Sequence, residues 1–142
     1  MKLSPRARKA SGFTLIEVLV TLLVVSFGLL GFASLLTKSV VSNRQSYARS
    51  QASLLAYDVI ERMRVNRAAA LNGAYSIAIG SSPSGGTPAG DDLVDWKANV
   101  SNFLPQGDGA VSVDATGSIS ITLEWDDNGD GVVTRFVTQS SL

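Results

Sequence analysis

The stretch that decides the fold is residues 13–36, which read FTLIEVLVTLLVVSFGLLGFASLL. Glu17 is the only charged residue in it, and every residue from Val18 to Leu36 is apolar or small. Nineteen helical residues at about 1.5 Å each extend roughly 28 Å, close to the hydrocarbon thickness of a bilayer. The run therefore predicts a helix that spans a membrane.

A soluble core helix and a secretory signal both fit this run less well. A core helix of a soluble protein needs neighbours on all sides, and a chain of 142 residues is too short to surround one this apolar. A cleaved secretory signal usually has a shorter apolar core, with a small-residue cleavage site after it. Here the apolar run continues directly into more helix.

The residues that precede the run are basic. Residues 1–12 contain Lys2, Arg6, Arg8 and Lys9 and no acidic residue, whereas only Lys38 follows the run closely. Positive charge favours the cytoplasmic side of a membrane, so the N-terminus is expected in the cytoplasm.

From residue 37 to about residue 70 the pattern becomes amphipathic, which predicts a helix with one face to bury. Neither Pro nor Gly occurs between Gly31 and Gly73. We therefore expect one helix from about residue 14 to about residue 70, roughly 80 Å long. Heptads are not sustained, so a coiled coil is the weaker prediction. The apolar stripe consists of Val41, Ala48, Ala52, Leu55, Ala56, Val59, Ile60 and Met63.

The C-terminal half predicts a small α+β domain. Residues 80–90 are a loop by composition, and a short helix is expected from Asp91 to Leu104. Three strands are expected: one around residues 111–113, one at residues 119–125 and one at residues 132–138. The apolar face of this antiparallel sheet needs a partner, which the amphipathic half of the long helix can supply.

Composition excludes several classes of function. The chain has no Cys and no His, so it can form neither a Ser-His-Asp triad nor a thiolate zinc site. Residues 68–142 contain two basic and nine acidic residues, so the basic surface of a nucleic-acid-binding domain is missing. We expect neither an enzyme, nor a cofactor, nor a nucleic-acid partner.

The motif at the start of the apolar run is GFTLIEV, residues 12–18. It resembles the class III signal of type IV prepilins and type II secretion pseudopilins. The resemblance implies that a prepilin peptidase cuts between Gly12 and Phe13 and methylates the new N-terminus on Phe13. It also implies that Glu17 is the acid used in filament assembly. Independently of the resemblance, Glu17 lies one helical turn from the ammonium group that this cleavage would create.

Within this family the chain looks closest to PilV-type minor pilins. The similarity rests on residues 49–67 (RSQASLLAYDVIERMRVNR), residues 26–31 (SFGLLG) and the strand that contains Trp125. It implies a minor pilin that helps to prime assembly of a type IV pilus, an appendage used in twitching motility and cell adhesion. Many pilins close their C-terminal loop with a disulfide, which this cysteine-free chain cannot form.

The resemblance also implies domains, location and partners. Residues 1–12 are a cleaved leader, residues 13–36 the transmembrane and filament-core helix, and residues 37–142 a periplasmic pilin-like globular domain. The subunit would cross the bacterial inner membrane once before joining major and minor pilins in a pilus. A type II secretion pseudopilin is the alternative within this class, and a membrane-anchored adhesin or binding module is the alternative outside it.

A turn near the C-terminus has some features of a calcium site. Asp126, Asn128, Asp130 and Gly131 match the opening of an EF-hand loop, but the expected bidentate Glu falls at Val137. We therefore predict a hairpin turn in which Asn and Gly adopt positive φ, and no metal site. A non-standard calcium site at Asp126, Asn128 and Asp130 is the weaker alternative, because three oxygen-bearing side chains lie in one turn.

Two further groups of residues have alternative roles. Trp96 and Trp125 are expected in the core rather than in a ligand site. The arginines Arg62, Arg64 and Arg67 form a basic cluster that either faces solvent or contacts acids on a neighbouring subunit.

Overall fold

The computed structural model describes residues 12–142, which form three helices and three strands. The elements are α1 (Leu15–Val65), α2 (Arg67–Leu71), α3 (Pro88–Phe103), β1 (Asp108–Val113), β2 (Ser118–Trp125) and β3 (Thr134–Ser141). The predicted α+β, pilin-like fold is confirmed. The chain divides into two compact units, the first ending at Val41 and the second comprising Ser42–Leu142. Helix α1 contributes to both.

The described part of the first unit is almost entirely the N-terminal part of α1, and its apolar side chains are exposed. Its most apolar 18-residue window has a mean hydropathy of 2.4, and none of that window is buried by the rest of the chain. The hydroxyls of Thr21 and Ser26 donate to the carbonyls of Glu17 and Leu22, one turn earlier. These bonds satisfy two polar groups within the helix. By length and composition this segment can cross a membrane.

The second unit has its own hydrophobic core, to which α1, α3 and the sheet contribute. The buried residues of α1 are Ala48, Ala52, Leu55, Ala56, Val59, Ile60 and Met63. They recur every three or four residues, as the amphipathic pattern predicts. They pack in one cluster with inward-facing residues of β2, so the predicted packing of helix against sheet is confirmed.

The sheet is antiparallel with strand order β1-β2-β3. Val111 of β1 lies opposite Ile121, and Phe136 of β3 lies opposite Leu123. Alternate residues of β2 are buried, from Ile119 to Trp125. The period of two that predicted this strand is therefore confirmed, because one face of the sheet covers the core.

Trp96 joins α3 to both α1 and the sheet. Its ring is fully buried, and its indole N–H donates to the carbonyl of Leu55 in α1 at 2.9 Å. Its ring also lies against Gly109 of β1, where a side chain as small as a methyl group would overlap it. The buried indole is thus both packed and hydrogen-bonded, as a polar group in a core needs to be.

The prediction of one helix to residue 70 is wrong at its C-terminal end. Helix α1 ends at Val65, and Asn66 adopts φ −109° and ψ 49° before the short helix α2 begins. The Asn66 side-chain amide donates to the hydroxyl of the buried Tyr75 at 3.4 Å. The interruption of the helix at Asn66 is therefore accompanied by a tertiary contact with Tyr75. The local pattern of apolar residues does not predict this contact.

Helix α3 begins three residues earlier than predicted, at Pro88. Thr87 is its N-cap: the Thr87 side-chain oxygen accepts the N–H of Gly90 at 3.1 Å. Pro is favourable at the first helical position because the missing N–H has no partner there. Thr87 and Pro88 therefore begin a helix within residues 80–90, which composition predicts to be a loop.

The third strand is Thr134–Ser141 rather than residues 132–138. Val132 and Val133 are exposed residues of the preceding loop. The strand continues to Ser141 because Ser118 of β2 pairs with that residue. Pairing with β2, rather than β-propensity, sets both ends of β3.

Candidate functional site

The predicted cleavage position lies just before α1. Gly12, Phe13 and Thr14 are exposed and not helical. The side-chain oxygen and the carbonyl of Thr14 accept the N–H of Glu17 at 3.3 and 3.1 Å, so Thr14 sets the first turn of the helix. The peptide bond between Gly12 and Phe13 is thereby left in open, non-helical backbone, where proteolysis is easiest.

The predicted assembly residue, Glu17, lies in the first turn of α1. It is exposed, and with Phe13 and Thr21 it lines an open groove of about 280 Å³. Within residues 12–142, every ion pair joins a basic side chain to an acid other than Glu17. A carboxylate in the first turn is favourable because the helix dipole is positive there.

The structure brings Phe13 and Glu17 to the same groove. Cleavage after Gly12 would give Phe13 a positively charged amine, and Glu17 is the nearest acid in sequence. A carboxylate and an amine in this arrangement can form an ion pair within one subunit or between two. The leader residues Lys2, Arg6, Arg8 and Lys9 lie outside the described residues.

Comparison with known families identifies this segment. Residues 7–33 match the family model of the prokaryotic N-terminal methylation motif. This motif is the class III signal peptide of type IV pilins, and proteins that carry it are structural rather than enzymatic. The match supports a type IV pilin-like protein, of a pilus or a pseudopilus. It implies processing by prepilin peptidase and assembly of pilin with pilin.

The match does not extend to the second unit. The chain has no match among curated proteins or among solved structures. The likeness to PilV-type minor pilins accordingly stays a prediction. The role of the second unit therefore has to be inferred from its geometry.

The loop considered for calcium is organised by its own backbone. Asp126 is a buried residue, 5 % exposed, and its carboxylate accepts the N–H groups of Asn128, Gly129 and Gly131 at 2.7–3.1 Å. The bond from Gly131, with the others, lowers the pKa of Asp126. The carboxylate oxygens of Asp126 and one of those of Asp130 thus already accept hydrogen bonds from the loop backbone. The turn prediction is wrong in one detail: Gly129 and Gly131 adopt positive φ, but Asn128 does not.

Both tryptophans are core residues, as predicted. Trp96 and Trp125 are 0 % and 1 % exposed. The indole N–H of Trp125 donates to the carboxylate of Asp127, which also accepts the hydroxyl of Thr134. The same loop is therefore tied to the end of β2 and the start of β3.

Two arginines of the basic cluster form bonds within the second unit. Arg62 donates to the carboxylates of Asp58 and Asp92, each at 3.1 Å. The hydroxyl of Tyr75 also donates to Asp92, and burial together with that bond raises the pKa of Tyr75.

Arg64 binds Glu61 and the end of β3, through Ser140 and the carbonyl of Ser141. Arg67 is exposed. Arg62 and Arg64 therefore stabilise the second unit through hydrogen bonds, whereas Arg67 lies on its surface.

A polar clamp that the sequence analysis missed holds the loop before α3. Lys97 donates to the carbonyls of Ala78 and Ser81 and pairs with Asp108 at 2.7 Å. Asp108 also accepts the N–H of Gly80 at 2.6 Å. Burial would raise the pKa of Asp108, but the hydrogen bonds from Lys97 and the backbone outweigh it, and the pKa is lowered. The cysteine-free domain thus uses charged hydrogen bonds to fix a segment whose conformation the sequence does not predict.

Proposed function

We propose that this protein is a minor pilin, made as a membrane-anchored precursor and incorporated into a type IV pilus. Prepilin peptidase cleaves between Gly12 and Phe13 and methylates the amine of Phe13. Residues 13–36 then leave the bilayer and pack against the corresponding helices of other pilins. The motif match at residues 7–33 supports the processing step.

One observation carries the proposal: a single exposed carboxylate, Glu17, in the otherwise uncharged apolar run of residues 13–36. An acid near the centre of an inserted helix costs roughly 2.5 kcal/mol or more, and less near its end. A charge retained at such a position indicates a function. Its function is to pair with the amine of Phe13, in its own subunit or the next one, and so fix the axial position of subunits.

The exposed surface of the apolar helix supports the same conclusion. The membrane-length window of α1 is not buried by its own chain. It therefore needs lipid before assembly and neighbouring helices afterwards. In the proposed topology the helix crosses the inner membrane once, with residues 37–142 in the periplasm. Loss of residues 1–12 removes four positive charges and weakens the attachment to the anionic inner leaflet.

The proposal is tested by replacing the acid. We expect Glu17→Ala to be processed normally but to be absent from sheared filaments, because the amine of Phe13 loses its partner. The control is Glu61→Gln, which removes an exposed acid of the second unit and should be incorporated like the wild type. Incorporation of Glu17→Ala at wild-type level would contradict the proposed role of Glu17.

A gene deletion separates the pilus from the type II secretion pseudopilus. A minor pilin is expected to be needed for surface pili and twitching motility, with secretion of exoproteins unchanged. Loss of exoprotein release with intact pili would instead assign the protein to the pseudopilus.

A further inference from the structure

The sheet of the second unit has two edges, and the chain itself covers one of them. At the β1 edge, Val111 exchanges two backbone hydrogen bonds with Ile77, each at 2.9 Å. The pair formed by Lys97 and Asp108 lies at the start of the same strand. The middle of the β1 edge is therefore already occupied by another segment of the chain.

The opposite edge of the sheet is β3, and its outer side is open. The N–H of Leu142 donates to the carbonyl of Gly117 at 3.0 Å, so these two residues form a hydrogen-bonded pair. Pairs of this kind alternate along an antiparallel ladder. The backbone N–H and carbonyl groups of Arg135, Val137 and Gln139 therefore point away from β2.

These outward groups have few contacts with the rest of the chain. Within residues 12–142, the hydrogen bonds that reach the outer side of the β3 backbone come from Arg64, which donates to the carbonyl of Ser141 at the end of the strand. Val137, in the middle of the row, is 52 % exposed. An edge with unpaired donors and acceptors is a template for another strand.

The β3 edge also lacks the features that usually prevent such pairing. The strand has eight residues and pairs with β2 without a bulge. It contains neither Pro nor Lys, and its only charged residue, Arg135, is bound to Glu124 at 2.7 Å. Natural proteins keep free edges short, charged, bulged or covered. An edge of this kind therefore indicates a surface that another strand covers.

The side chains of β3 suit a second copy of the same strand. Antiparallel pairing about Val137 places the two Val137 residues opposite each other, and it places Arg135 opposite Gln139. The outward N–H groups of these residues then meet outward carbonyls, and no like charges lie opposite each other. Parallel pairing in register would instead bring the two Arg135 residues together, which is unfavourable.

We propose that β3 pairs with β3 of a second copy of this chain, so that two three-stranded sheets become one continuous sheet. The contact is antiparallel and centred on Val137. It has two-fold symmetry and closes on itself, because the same edge is used by both copies. The contact belongs to the second unit alone, so its absence would leave the proposed role in a pilus unchanged.

The absence of cysteine allows a direct test with the full chain in isolated membranes. Val137→Cys places one thiol on each strand at the two-fold axis. Opposite residues of a hydrogen-bonded pair have Cα atoms about 5.5 Å apart, a distance that a disulfide can bridge. Oxidation with copper phenanthroline should therefore give a product of twice the mass of the chain. The matched control is Ser112→Cys, an exposed position of β1, which should remain monomeric.

Three changes at Gln139, each combined with Val137→Cys, test the register. Gln139→Lys sets a second positive charge against Arg135 of the other copy and should lower the yield of dimer about fivefold. Gln139→Glu sets an acid there and should not lower the yield. Gln139→Pro removes an outward N–H and should abolish the dimer, at a position where an edge strand tolerates Pro. The fluorescence of the buried Trp96 and Trp125 reports whether each variant is folded.

Two results would overturn the proposal. One is a yield of dimer from Val137→Cys that is no higher than that from Ser112→Cys. The other is a yield that is the same with Lys and with Glu at position 139, a comparison that decides the matter even if Gln139→Pro does not fold. A product whose mass is not twice that of the chain would assign the edge to a different subunit, and would likewise exclude pairing with a second copy.

Discussion

Helix α1 contributes to both units, but its apolar side chains are exposed in the first unit and partly buried in the second. Residues 15–41 of α1 expose their apolar side chains and find no cover in the described chain, whereas from Ala48 onwards the helix buries one face in a closed core. The first unit depends on lipid or on other helices for its stability. The second depends on its own packing. Exposed apolar side chains along α1 therefore mark the part of the helix that lipid or partner subunits have to cover.

The two units also differ in whether their polar groups have partners. In the second unit, buried carboxylates and indoles have partners within the unit, as Asp126 and Trp96 show. In the first unit, Glu17 has no ion-pair partner among the described residues. A group that the fold leaves unpaired is the one we expect the assembly to use.

The largest expected effect comes from matched leucines in the two units. Leu123 is 0 % exposed and Leu23 is 56 % exposed. Leu123→Ala should lower the free energy of unfolding by about 2–5 kcal/mol because it leaves a cavity in the core. Leu23→Ala should leave it unchanged. Urea unfolding of the full chain in detergent, followed by the fluorescence of Trp96 and Trp125, measures the second unit alone. Equal effects of the two changes would contradict the division into units.

A pair of glycines gives the next largest contrast. Gly109→Ala would place a methyl group against the ring of Trp96, and overpacking of this kind costs typically about 1–3 kcal/mol. Gly28 has open space around it, so Gly28→Ala should be neutral for the second unit and should favour the helix. The same unfolding measurement applies, and a neutral Gly109→Ala would show that α3 does not press on β1.

Acid should weaken the second unit through Asp126. Its pKa is lowered in the fold by the backbone N–H of Gly131 and its neighbours, so its contribution is present above the unfolded pKa of about 3.9. The contribution is lost as pH falls through the folded value. The difference in stability between the wild type and Asp126→Ala should therefore shrink as pH is lowered from 7 to about 2.

Asn128→Ala is the non-titrating control for this experiment, and its effect should not change with pH. A difference for Asp126→Ala that is equally independent of pH would mean that the carboxylate does not organise the loop.

The smallest effect is expected at the surface. Arg135 is 67 % exposed in its pair with Glu124, and exposed pairs contribute about 0–1 kcal/mol. Arg135→Gln should change the free energy of unfolding by less than about 1 kcal/mol. The change should be smaller still in high salt, which screens the pair. A loss comparable to that of Leu123→Ala would show that the pair is structural.

The sequence predicted the fold where side-chain periodicity reports burial directly. The alternation from Ile119 to Trp125 and the stripe from Ala48 to Met63 both depend only on which face meets the core. The break in the helix at Asn66, after the end of α1, and the end of β3 at Ser141 involve tertiary partners, Tyr75 and Ser118. Distant partners of that kind leave no mark in a local pattern.

The candidate sites divide in the same way. Phe13 and Glu17 share a groove because they are four residues apart at the start of α1, a spacing that the sequence displays. The clamp between Lys97 and Asp108, and the open edge of the sheet at β3, arise only when separate elements meet. Sequence reasoning could therefore find the first site and not the others.

The proposed maturation removes residues 1–12 and makes Phe13 a methylated N-terminus. The direct test is the intact mass of the protein recovered from membranes or sheared filaments of cells that contain prepilin peptidase. We expect a chain that begins at Phe13 and carries one added methyl group. A chain that still begins at Met1 in those cells would contradict it, and would leave a membrane-anchored protein with a small α+β domain.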